Sequence, residues 1–308
     1  MRTHQQRMIV ALLLVWTALY LIAVRSASGQ PSPHSEIEAR SNGSFTPSRE
    51  ATPGPSASMP GCRQQFEGDG SGQVSLHDPL VRSSHPRVIV IGFVGGFVAH
   101  DDARHPELKF AARLRGRYPS AVCVEVFGNH SRSAALGEVL RLLDINSDGS
   151  LTAAEKAQAT IIIYGHSWGA SETVTLARAL GRMNIPVLLT VQIDSIAKPR
   201  QEDSMIPPNV SAAVNYYQPA GLFHGQQKIT AADPTRTTIL GNFEMKYGDH
   251  SIDCSDAPWF ARLFMKHHIE IENDPRIWDQ SGSLIDVRLS AAASTVDTVS
   301  SRGSSLSR

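Results

Sequence analysis

The sequence predicts an α/β fold: a mostly parallel central sheet with helices on both faces. Three observations predict it. From Val88 onward, short β-branched runs alternate with amphipathic stretches of helical length. The runs are apolar throughout rather than at every second residue, as expected of strands covered on both sides. A glycine-flanked serine, in "IIIYGHSWGA", sits where one such run meets a helix-like stretch.

Each element follows from its composition. "RVIVIGFVGG" reads as a buried strand ending in a glycine loop, and "ARHPELKFAARLRGRY" as a helix. "AVCVEVF" is a second strand and "SAALGEVLRLLD" a second helix. "ATIIIYG" is a third strand, followed by the helix "ASETVTLARALGRM", which stops before Pro186. "VLLTVQID", "AAVNYYQ" and "TRTTILGNFEM" read as three further strands, and a closing helix begins near Asp274-Pro275. The domain is thus expected over residues 87–285.

The flanks differ. Arg2 and Arg7 precede an apolar run from Met8 to Val24, with small residues after it, so residues 1–29 read as a secretory signal peptide or a membrane anchor. Either reading exports the domain, as a secreted, periplasmic or membrane-tethered protein with its body outside. Residues 30–86 are rich in Ser, Pro and Gly and read as a disordered linker; residues 286–308 read as a disordered tail. A formal net charge of zero implies no basic surface for nucleic acid. Three cysteines are too few for a disulfide scaffold. Cys123 is expected in a core as a small apolar group, leaving Cys62 and Cys254 as the possible pair.

In "GHSWGA", Gly165 and Gly169 allow the sharp strand–turn–helix elbow that lifts Ser167 above the sheet edge. Here the chain resembles the α/β-hydrolase family, its lipases and esterases in particular, over roughly Val88 to Leu284. The resemblance implies a serine nucleophile followed in chain order by an acid and a histidine. Asp194 closes the next strand and is the expected acid, with Asp233, Asp249 and Asp253 as weaker rivals. His268, in "HHIEIENDPRIW", is the expected base on a loop before the closing helix; His250, in "YGDHSID", is the runner-up. His166 adjoins Ser167 and should point under the turn, into packing, and His224 reads as a loop residue. The family's anion hole implies the amides of Trp168 and Phe93, the latter in "IGFVGGF", although Ile91 stands where the family often has histidine.

A second motif is independent of the first. "DINSDGSLTAAE", residues 144–155, has the EF-hand calcium loop's pattern. Asp144, Asn146 and Asp148 supply side-chain oxygens, Gly149 the tight turn, Ser150 a carbonyl and Glu155 the closing carboxylate. A single loop of this kind suits a structural Ca²⁺ better than a sensor. The sequence thus leads to an exported serine hydrolase acting on a small-molecule or lipid ester, with structural calcium and no organic cofactor. The competing expectation is a non-catalytic, calcium-binding interaction module on the same scaffold.

Overall fold

The computed structural model describes residues 62, 88–96, 98–119, 122–248, 252–257 and 259–304. The leader, including the apolar run at 8–24, and all of the linker but Cys62 lie outside the described residues, as does His250. Among the described residues no helix is long and apolar enough to cross a membrane.

The elements alternate as the apolar runs require. In chain order they are β1 (Val88–Phe93), α1 (Pro106–Arg117), β2 (Val122–Phe127), α2 (Arg132–Leu143), α3 (Ala153–Ala157), β3 (Ile161–His166), α4 (Trp168–Arg182) and β4 (Val187–Ile193). Then come β5 (Met205–Ile206), β6 (Val210–Tyr217), β7 (Thr230–Ala231), β8 (Thr238–Glu244), α5 (Trp259–Phe264), α6 (Lys266–Asn273) and α7 (Pro275–Ser304). Six strands form one sheet in the order β2-β1-β3-β4-β6-β8, every pairing parallel. β5 and β7 pair separately in a parallel two-stranded sheet. This is a layered α/β architecture with a parallel central sheet.

Both faces are covered, which is why the central strands are apolar at consecutive positions. Ile89, Ile91 and Phe93 face α2 and α4 through Val139, Leu142, Val174 and Leu180. Val90, Ile162 and Tyr164 face the other way, onto Phe110 and Leu114 of α1 and Ile277 and Trp278 of α7. Tyr164 meets Phe110 edge-on at 5.1 Å, and Trp278 closes the same cluster. Ile285 is fully buried at the end of the expected domain, while α7 itself continues to Ser304.

The chain reverses its direction of winding between β1 and β3: β2 lies on one side of β1, and β3 on the other. Crevices open beyond the carboxyl ends of the strands at such a point. Ser167 follows the last residue of β3, at this crevice.

One pairing differs from expectation. Cys62 is joined by a disulfide to Cys123, with Cα atoms 5.4 Å apart, and Cys254 is free. Cys123 is indeed buried on β2, but bonded rather than merely packed. The Cys62 amide also donates to Glu125 Oε1 at 2.9 Å, so this residue lies against the edge strand.

Candidate active site

The backbone of the elbow accounts for its sequence. Ser167 stands at φ 56°, ψ −123°, between β3 and the first residue of α4. A Cβ at Gly165 would lie 2.6 Å from the Gly169 carbonyl carbon, and one at Gly169 2.3 Å from the Phe93 carbonyl oxygen. Strand, turn and helix therefore approach as closely as they do because both positions lack side chains. A non-glycine residue at positive φ costs roughly 1–3 kcal/mol, which the surrounding packing must sustain.

Asp194 follows β4, the neighbour of β3, and also has positive φ, at 43°. It is fully buried. Its Oδ1 accepts from the amides of Gly225 (2.8 Å) and Gln218 (3.2 Å), and its Oδ2 from Gln218 Nε2 (2.9 Å). Burial pushes its acidity toward the neutral form, but the hydrogen bonds from His268 and Gln218 outweigh it and hold the carboxyl below its ordinary range. The segment after Asp194 is tied to α4: Lys198 Nζ reaches Glu172 Oε1 at 2.7 Å, and Ser171 Oγ donates to Gln201 at 2.9 Å.

His268 completes the arrangement. Its Nδ1 lies 2.6 Å from Asp194 Oδ2 and its Nε2 2.9 Å from Ser167 Oγ. With the proton on Nδ1, the ring donates to the carboxylate and can accept from the serine hydroxyl. Ser167, His268 and Asp194 are all buried. His268 lies within the short helix α6, not on the loop expected from the sequence. That helix is fixed from behind, where Trp278 Nε1 donates to the Glu272 carbonyl at 2.7 Å.

The expected rivals are elsewhere. Asp233 and Asp253 organise exposed turns with Thr235 and Ser255. His224 is exposed, and His267 bonds Glu270 at 2.8 Å. Asp249, like His250, lies outside the described residues.

The two expected anion-hole residues differ in placement. Trp168 opens α4, where amide hydrogens point out of the helix end. Phe93, by contrast, is inside the sheet, in register with Gly165. Ile89 N–H donates to Thr160 on the β3 side and Val94 N–H to Phe127 on the β2 side. Ladder alternation thus turns the Phe93 N–H toward β3, not toward Ser167. The turn at Gly95–Gly96 comes beside the serine instead: a Cβ at Gly95 would stand 3.6 Å from Ser167 Cβ, and one at Gly96 would meet the Trp168 ring at 2.9 Å. The Gly95 carbonyl is held by Asn129 Nδ2.

Sequence reasoning missed the support around this group. Gln218, in "YYQPAG", carries no sequence signal because it is no acid, yet its side-chain amide donates to Asp194 Oδ2. Glu107 of α1 and Glu272 of α6 are buried beneath the elbow, facing His166. The His166 ring packs on His268 at 4.5 Å between centroids.

At residues 144–155, α2, a loop and α3 follow one another. Gly149 has φ 81°, and its amide donates to Asp144 Oδ2 at 2.9 Å. Glu155 reaches back, accepting from the amides of Ile145 (2.9 Å) and Thr152 (2.8 Å), the latter in a capping box. Asp144, Asp148 and Glu155 are not among the described groups whose ligand atoms approach within 4.8 Å. The residue order is that of a calcium loop, but the Asp144 and Glu155 oxygens are turned to loop amides, and the side chains would have to draw inward to hold an ion.

No family model and no curated protein matches the chain. Among solved structures that resemble it is an acetyl xylan esterase, crystallised as an iodinated complex, at 8% sequence identity with a TM-score of 0.28, covering 60% of this chain and 96% of that one.

Proposed function

We propose that this protein is a serine hydrolase that cleaves an ester or related acyl bond. The observation that carries the reading is the continuous relay of 2.9 Å and 2.6 Å from Ser167 through His268 to Asp194, on a serine held at positive φ. Ser167 Oγ attacks the acyl carbon as His268 Nε2 takes its proton. The oxyanion is held by the Trp168 amide and by the Gly95–Gly96 turn, in place of Phe93. His268 then returns the proton to the departing alcohol, leaving an acyl-serine. Water repeats the sequence, giving up its proton to His268 and releasing the acid. Asp194 keeps the imidazole in the productive tautomer and stabilises its cation. The exposed Leu222, Leu263 and Phe264, on segments flanking α6, favour an apolar acyl group on a small-molecule or lipid ester.

A fluorophosphonate probe tests this reading directly. The wild type should be labelled at Ser167, and Ser167→Ala should not. Ester hydrolysis should fall about 10⁶-fold in Ser167→Ala and about 10⁴-fold in Asp194→Asn. An intact protein that resists the probe and hydrolyses no ester across a chain-length panel would overturn the proposal and favour the non-catalytic calcium module.

Two further parts of the reading rest on separate features. Export is supported by the leader and by the Cys62–Cys123 disulfide, a bond that persists in oxidising compartments. Calcium, when bound, would be held by Asp144, Asn146, Asp148, the Ser150 carbonyl and Glu155. It would fix the crossover that feeds β3 and take no part in the chemistry. Addition of Ca²⁺ should raise the melting temperature of the wild type and leave that of Glu155→Gln unchanged. Equal response of the two proteins would remove the site.

A further inference from the structure

Behind His268 lies a second cluster that the proposed hydrolysis does not use. His105 precedes α1, Glu107 is in its first turn, and Glu272 is on α6. One ligand atom from each of the three lies within 4.8 Å of the others. His105 Nδ1 is 3.2 Å from Glu272 Oε1, and its Nε2 is 3.7 Å from Asp102 Oδ2.

A residue outside this trio also points into it. His166, at 3% exposure, completes no hydrogen bond at either ring nitrogen, although the His268 backbone is near, and its Nδ1 stands 3.8 Å from Glu107 Oε1 and from Glu272 Oε2. Glu107 is fully buried, and neither of its carboxylate oxygens completes a hydrogen bond, although its own amide and that of Gly95 are near. Unmet buried polar groups of this kind are destabilising. Several of them converge on one point.

We infer that His105, Glu107 and Glu272 form a binding site for a divalent transition cation of the zinc class, with His166 Nδ1 facing it from β3. Imidazole nitrogen with carboxylate oxygen is a donor set that such ions accept. Two carboxylates would balance the ion's charge, and the unmet atoms of Glu107 would gain a partner. Entry is open at His105, whose side chain is 29% exposed, while the inner wall is closed by Glu107. The inference stands apart from the serine chemistry and does not require it.

The test uses the full-length, exported chain without a histidine tag, stripped with a chelator and titrated with Co²⁺ in millimolar Ca²⁺. Glu155→Gln serves as the background that silences residues 144–155. Expected are one equivalent of Co²⁺ with visible d–d absorption, displacement by Zn²⁺, and a raised melting temperature with Zn²⁺. Binding should weaken at least about tenfold in Glu107→Gln and in His105→Gln. His105 lies at the rim, so that variant keeps the test valid if the core variant does not fold. Absence of stoichiometric Co²⁺, or binding unchanged in both variants, would overturn the inference.

Discussion

Reducing the Cys62–Cys123 bond offers a prediction that the structure makes quantitative. The bond spans a sequence separation of 61 residues. Closing a loop of that length removes unfolded-chain entropy worth about 4 kcal/mol at 25 °C. For a domain of this size that corresponds to a melting temperature lower by roughly 8–16 °C. Both sulfurs are buried, so reduction under native conditions should be slow, and the comparison is cleanest between oxidised protein and Cys62→Ala/Cys123→Ala. That variant also opens a small void beside β2, which adds to the loss. Scanning calorimetry measures the shift, and alkylation of unfolded, unreduced protein followed by peptide mapping counts the thiols. One modified cysteine, Cys254, is expected. A map showing Cys254 linked to either partner, or a melting temperature indifferent to the double substitution, would refute the reasoning.

Four other outcomes follow from the packing. Gly169→Ala should destabilise the fold by about 1–3 kcal/mol or more, because its methyl would overlap the Phe93 carbonyl. Gly137→Ala, in the interior of α2 with open space around it, should stabilise by up to about 1 kcal/mol; urea denaturation separates the two. Buried His166 takes its proton at about 4 when folded against 6.5 ordinarily, so the unfolded chain binds the proton first as pH falls. Its contribution is complete above about pH 6.5 and is lost on the way down to about pH 4, a change of about 3 kcal/mol. In chelator-treated protein, His166→Gln should lack this share of the acid sensitivity, and identical pH profiles would refute it. Gln218→Ala removes a donor to Asp194 and should cost about 1–3 kcal/mol, read as lower kcat with little change in KM.

The sheet was legible because strands covered on two faces must be apolar at consecutive positions, and "VIVIGF" and "IIIYGH" show it plainly. Ser167 was legible because its turn demands Gly165 and Gly169, and Asp194 because it ends the next strand. Other features were hidden for physical reasons. Which cysteines meet depends on Cys62 lying against β2, and spacing carries no such information. β5 and β7, two residues each, are too short for any period to show. His268 looked like a loop residue because Pro275 starts a new helix, which obscures α6 ending at Asn273 just before it. Phe93 was misplaced as an anion-hole donor by counting from the glycines, whereas sheet register decides where an amide points. Glu107 resembled any charged residue in the first turn of a helix; only the packing of α1 under β3 buries it.

The three side chains of the relay lie far apart along the chain, and the last of them depends on α6 being held by Trp278 of α7. A ribosome therefore delivers the serine and the carboxylate well before the imidazole, and the hydroxyl stays unassisted until the final helix emerges and docks. For a chain threaded through a membrane in the same direction, the relay would close only once α7 had crossed and docked.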